Sequence, residues 1–461
     1  MPGADLVVTS RRVVTPDGER PAAVAVTDGR ITAVTAPGDA PDSRERFDAG
    51  DAALLPGLVD SHVHVNEPGR TDWEGFRTAT RAAAAGGVTT IVDMPLNCSP
   101  PTTTIAALAA KAAAARGAAL VDYGFWGGAV PGNARDLAAL HAQGVLGFKA
   151  FLVDSGVDEF APLDGDALAD TMERLAGLGT VLLVHAELPG PIARAAHAGP
   201  AEPRRYASWL AARPVEAELE AIDLVVRSAA RTGCPAHVVH LACADGADAI
   251  ATARIRGTPV SVETCPHYLT FTAEEIPDGA TAFKCAPPIR ARVHRERLWA
   301  ALGDARIDLV ASDHSPCPPA LKGQETGDFF AAWGGIASLE LLLPATWTGA
   351  CARGHHLTAL ATWLSAGPAR LAGLDGRKGR IAVGWDADLV AFEPDVTWTV
   401  DPRSLHHRHQ ITPYAGRDLR GRVMRTYVRG RCVYDRGTFP SSPDGLWLRG
   451  REQGAGSRPL R

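Results

Sequence analysis

Two histidines two residues apart, His62 and His64, follow the apolar run LLPGLVD at residues 54–60. His185 ends the run VLLVH, His240 ends VVH, and RIDLVASDH ends in Asp313 and His314. Neutral imidazoles together with a carboxylate suit zinc or a similar divalent ion. Side chains alternate along an extended chain, so His62 and His64 face one side. Each histidine taken singly reads as an ordinary buried or rim residue. They become a set only if one fold gathers the ends of these runs.

Lys149 stands in the middle of another apolar run, GFKAFLV. It is one of five lysines, with Lys111, Lys284, Lys322 and Lys378. A buried ammonium is costly, and burial lowers its pKa. One reading is a lysine that reaches solvent or pairs with a carboxylate. The other is chemical: a neutral amine adds carbon dioxide to form a carbamate, whose two oxygens and negative charge could bridge two divalent ions.

The elements that must position these residues are legible as alternation. Eight apolar runs, LLPGLVDSHVHV, GVTTIVDMP, AALVDYGFWGG, GVLGFKAFLV, GTVLLVHAE, PAHVVHLA, TPVSVETCPHYL and RIDLVASDHSP, are separated by stretches such as TIAALAAKAAAAR and EAELEAIDLVVRSAARTG. This pattern predicts an α/β protein built on a parallel (β/α)8 TIM barrel, with a doubly wound open sheet as the alternative. In a barrel the carboxyl ends of the strands form the active face, and the His, Lys and Asp residues fall there. Short alternating segments at both ends of the chain, among them ADLVVTS and GRVMRTYVRGRCVYDRG, predict a small β-sandwich domain made from the two termini. The predicted division is 1–55 and 379–440 for the β-sandwich, 56–378 for the barrel and 441–461 for a loose tail.

Composition excludes several classes. The 461 residues are 46% hydrophobic and 21% charged, with a net charge of −5. No basic surface for nucleic acid or anionic membrane is expected, and no apolar run is long enough for a membrane span. The N-terminus lacks a secretory pattern, so a cytoplasmic protein is expected. Eight scattered cysteines form no CxxC pair and read as reduced thiols. No GxGxxG or GxSxG motif offers a nucleotide fold or a serine nucleophile.

The motifs GLVDSHVHVNEPG, GGVTTIVDMP, GFKAFL, VHAE, VVHL, ETCPHYL, KCAPPIR and SDHSP, across residues 57–316, resemble the cyclic amidohydrolases. This metal-dependent group includes dihydroorotases, hydantoinases/dihydropyrimidinases and allantoinases. HVHVNEPGRTDWEGF, DMPLNCSPPT, SDHSPCPP, AWGGI and ITPYAGR are most similar to the allantoinase branch. The resemblance implies a binuclear centre with His62, His64 and Asp313 on one ion, His185 and His240 on the other, and carbamylated Lys149 between them. It implies zinc, cobalt, manganese, iron or nickel as the metal, and a homotetramer. It implies hydrolysis of the cyclic amide of allantoin to allantoate, with Asp313 moving the proton from the attacking hydroxide to the leaving nitrogen.

Asn66 stands where dihydroorotases carry a carboxylate-gripping arginine, and an amide suits a neutral ring better. It could otherwise be a turn residue before Pro68, and Arg70 keeps a carboxylate substrate open. Asn66, Asn97, Ser315 and the backbone at Ala286 are the expected substrate contacts. Hydantoinases carry a tyrosine soon after the carbamylated lysine; AFLVDSGVDEF has none. The sequence departs from the branch at LACADG, where a Ser-Ser pair is frequent, and at Ala286, where serine is frequent.

Overall fold

The computed structural model describes residues 3–196 and 201–450. His197 and residues 451–461 of the expected tail lie outside the described residues.

All eight apolar runs form buried strands: Leu58–Val63, Val88–Asp93, Asp122–Phe125, Phe148–Phe151, Leu182–His185, Ala236–Val238, Val260–Thr264 and Leu309–Val310. A short strand at Gly127–Gly128 prolongs the third. Neighbours pair in parallel. The third and fourth runs are joined through Leu146 N to Phe125 O and Gly127 N to Gly147 O, both 2.9 Å. The ring closes where Val63 bridges His314 and His64 N donates to His314 O at 2.8 Å. The last strand meets the first, which makes a closed barrel of the sheet and sets aside the doubly wound alternative.

Helices lie between the strands because their sequences are rich in alanine and leucine and are capped. Ile105–Ala115 starts at Thr104, whose hydroxyl accepts from Ala107 N. Gly165–Leu178 starts at Asp164, which accepts from Ala167 N, and stops at Gly179 in a left-handed conformation.

Both chain ends build a second body. Ala4–Thr15, Gly18–Thr27, Arg30–Thr35, Ser43–Asp48 and Ala53–Pro56 join Leu389–Thr399, Asp418–Val428 and Arg431–Asp435 in one eight-stranded sheet. An irregularity between Ser10 and Val13 turns the first strand. Its first half pairs with Ser43–Asp48 and its second with Ala53–Pro56. The sheet folds over a core containing Leu6, Val24, Leu54, Leu389 and Tyr427. This is the expected β-sandwich. Within residues 441–450, read as the start of a loose tail, a short stretch lies against the barrel although half of these residues are exposed. Tyr123 and Trp447 form a bridge, Leu448 is buried, and Leu446 N donates to the Asp122 carboxylate. The Arg/Gly/Pro/Ser composition of the whole tail masks this short apolar sequence, GLWL.

The sandwich is pinned to the amino end of the barrel by charge. The buried Lys378 ammonium lies 2.6 Å from Asp122, 2.7 Å from Asp388 and 3.0 Å from Asp386. Burial would lower its pKa, but the three carboxylates outweigh burial and hold it charged. Lys378→Met leaves the buried Asp388 carboxylate without an ion-pair partner, while Asp122 and Asp386 keep Arg429 and Arg377, and a loss of about 3–5 kcal/mol of stability is expected. Urea unfolding with an unchanged midpoint would contradict this.

Candidate metal centre and substrate cleft

The carboxyl ends of the strands enclose a cleft of about 310 Å³. Its lining includes His62, His64, Asn97, His185, His240, Ala286, Asp313 and Ser315. His62 Nε2 lies 3.2 Å and His64 Nε2 3.6 Å from Asp313 Oδ1. These three groups are close enough to share one ion. Burial would raise the Asp313 carboxyl, but the neighbouring His62 ring and the hydrogen bond from His64 outweigh it and hold it far below the carboxylate range. Asp313 is therefore an anion available as ligand and base.

His185 and His240 face each other, Nδ1 to Nε2, at 2.9 Å. Burial lowers both pKa values, so the rings are neutral. Two neutral ring nitrogens pointing at one place suit a shared cation. His240 Nδ1 is buried with no partner. Its backbone, like that of Asp313, is left-handed (φ 41° and 47°). That conformation is unfavourable for a residue other than glycine, and such positions gather at functional sites.

Lys149 is fully buried, and its Nζ has no hydrogen-bond partner. Burial lowers its pKa to about 7. The other four lysines are also buried, but each has partners: Lys111 on Asp93, Lys378 on its three aspartates, Lys284 and Lys322 on backbone carbonyls. The salt-bridge reading of Lys149 therefore fails. An orphaned amine, about half of it neutral at pH 7, near these imidazoles and a carboxylate fits a carbamate bridging two ions.

Three groups that the sequence reading gave no role orient the rings. His62 Nδ1 meets Glu263 Oε1 at 2.5 Å, and Glu263 Oε2 meets His237 at 3.1 Å. Burial would raise the Glu263 carboxyl, but His62 and His237 hold it down at about 2. His185 Nε2 meets Glu187 Oε2 at 2.8 Å, and Arg213 grips Glu187 with bonds of 3.0 and 2.7 Å. A carboxylate behind an imidazole fixes the tautomer and frees the opposite nitrogen for metal. The signal for Glu263 was present, an acid within the apolar strand VSVET. Arg213 lies in a helix-connecting stretch with no such signal. Glu187→Gln keeps the shape but removes the charge, and metal affinity is expected to fall about 10- to 100-fold. Chelator competition measures it; unchanged affinity would contradict the role.

The expected substrate contacts divide. Ser315 and Ala286 line the cleft. Asn97 also lines it, but its amide sits 3.2 Å from His64 Nδ1, where its oxygen, after an amide flip, would accept the ring N–H. Asn66 is placed differently. It is buried behind the cleft wall, left-handed at φ 68°, with Nδ2 donating to Pro316 O. Asparagine tolerates that conformation, which matches the turn reading. Arg70 stacks on Trp73 and donates to Asn97 O.

A closed barrel whose cleft is lined by these histidines and Asp313, with a buried unpartnered lysine near them, is the architecture of a metal-dependent hydrolase. The amidohydrolase family matches residues 53–433, and the chain belongs to that family. It is 53% identical over 450 residues to an allantoinase of Streptomyces avermitilis, covering 97% of this chain and 99% of that one. It is 47% identical to the allantoinase of Saccharomyces cerevisiae, covering 83% and 82%. An L-hydantoinase from Arthrobacter aurescens superposes with a TM-score of 0.91 at 32% identity, covering 97% of this chain and 100% of that one. The family is metal-dependent, and the His62, His64 and Asp313 cluster could hold a divalent ion. No helix among the described residues is long and apolar enough to cross a membrane.

Proposed function

We propose that the protein is an allantoinase, opening the hydantoin ring of allantoin to give allantoate. The observation that carries this reading is the cleft lined by four histidines and Asp313, with the fully buried, orphaned Lys149 amine near it, in a chain so similar along its length to allantoinases. A hydantoinase or dihydroorotase reading has less support. The cleft wall after Lys149 is Asp154, Ser155 and Gly156, with no tyrosine, and Arg70 is engaged elsewhere.

His62, His64 and Asp313 would hold one ion, His185 and His240 the other, and carbamylated Lys149 would bridge them. Two such ions would acidify a water molecule and polarise the scissile carbonyl. Glu263, Glu187 and Asn97 keep the imidazoles aimed. Asp313 receives the proton of the attacking water and returns it to the ring nitrogen as the C–N bond breaks. The ring opens to a carboxylate and a ureido N–H. Ser315 and the Ala286 backbone contribute polar contacts to the ring. Zinc is the first choice of metal, with cobalt, manganese, iron or nickel also suited to this donor set. A cytoplasmic homotetramer, divided between sandwich (1–55, 379–440) and barrel (56–378), completes the proposal.

The test is allantoate formation by purified protein supplied with divalent metal and bicarbonate, with hydantoin and dihydroorotate in parallel. Turnover of allantoin far above the other two is expected. Preference for either of the others would overturn the substrate assignment.

A further inference from the structure

His185 and His240, the two ligands of the second ion, are tied to each other by a set of buried charges behind the cleft. Arg213, which grips Glu187 behind His185, is the first cation of the set. The second is Arg290, which pairs with Glu218 on the helix Val215–Thr232. Glu218 Oε1 accepts from Arg290 Nη2 at 2.6 Å and from Nε at 3.0 Å. Arg290 Nη1 donates to Arg213 O at 2.6 Å, which fixes the backbone that carries the Glu187 clamp.

The other oxygen of Glu218 reaches a different segment. Oε2 accepts from Ala242 N and Cys243 N, both at 3.0 Å. These are the second and third residues after His240, whose own backbone is left-handed. Two backbone N–H groups on one carboxylate hold the turn from which the His240 ring projects. A path therefore runs from His185 through Glu187, Arg213, Arg290 and Glu218 to the loop of His240. The ligands of the first ion lie off it: His62 rests on Glu263 and His237, and His64 on Asn97.

The four charges also balance. Glu187 and Glu218 offset Arg213 and Arg290, and none of the four side chains is more than 16% exposed. Loss of one carboxylate leaves a net positive charge beside His185, little screened by water, and so opposes a cation there.

We propose that Glu218, through Arg290, is a positioning residue for one ion of the pair: it sets the affinity of the ion held by His185 and His240 and leaves the ion on His62, His64 and Asp313 nearly unchanged. The inference rests on the two-ion reading above, and it makes the two affinities separately adjustable.

The test measures both zinc dissociation constants of the full chain by chelator competition, with bicarbonate supplied. Glu218→Gln keeps the side chain's shape and removes its charge. It should raise one constant about 10- to 100-fold and the other less than about 3-fold. Glu187→Gln should raise the same constant, and Glu263→Gln the other. Joined to Glu187→Gln, Glu218→Gln should cost less than the product of the two single effects, because both cut one path; joined to Glu263→Gln, it should leave both constants raised independently. Arg290→Lys keeps the cation but loses the planar fork. It should raise the same constant by a smaller factor, and it decides the matter by the same comparison if Glu218→Gln does not fold. Equal factors for the two constants, no change in either, or full multiplication with Glu187→Gln would overturn the proposal and leave Glu218 a structural residue. A wild-type chain that binds fewer than two ions would overturn the two-ion reading, and the proposal with it.

Discussion

Lys149→Met will abolish allantoin hydrolysis, with a fall of about 10,000-fold or more, and will reduce bound metal from two ions per chain to one or none. Methionine is one atom shorter than lysine and cannot form a carbamate, so the proposed anionic bridge is lost while most of the space stays filled. The same variant should be the more stable protein without metal. The wild-type amine has a folded pKa of about 7, depressed by burial from its ordinary value. A depressed lysine costs stability in full below its folded pKa, and the cost disappears as pH rises towards the unfolded value. At neutral pH the cost is on the order of 2–4 kcal/mol, which methionine removes. Metal-free Lys149→Met should therefore unfold at higher urea than metal-free wild type near pH 7, and the gap should close towards pH 10. A variant that keeps two ions and full activity would sink the bridging role.

Asp313→Asn should lower kcat by about 100- to 10,000-fold, because it removes the proposed general base while keeping the side chain's shape. The carboxylate also balances the rings of His62 and His64, at 3.2 and 3.6 Å, so weaker metal retention at that end is expected. Metal analysis beside steady-state kinetics separates the two effects. If the variant is reloaded to full metal content and kcat stays within tenfold of wild type, Asp313 is a ligand only. Glu187→Gln should behave differently, with lost activity returning as metal concentration is raised.

The barrel was legible because each strand is a continuous apolar run, and buried parallel strands require that. His62, His64, His185, His240 and Asp313 were legible because they break those runs at one end. Lys149 was legible as a charge where a strand should have none. Asn66 was legible as an amide suited to a neutral ring, but its place was not: Nδ2 donates to Pro316 O from a left-handed backbone, and Oδ1 is buried without a partner. Arg213 was invisible as a site residue, since it acts on a group brought near by the fold from 26 residues away. Periodicity reports only which face a residue occupies, not what lies across from it.

Local patterning thus sets where the ligands leave their strands and the class of chemistry they can support, because alternation and apolar runs decide which side chains emerge at a strand's carboxyl end. The folded arrangement adds which lysine lacks a hydrogen-bond partner and which carboxylates stand behind the imidazoles. Each of those is a balance of hydrogen bonds between segments distant in the chain, and no local pattern records how such bonds are shared out.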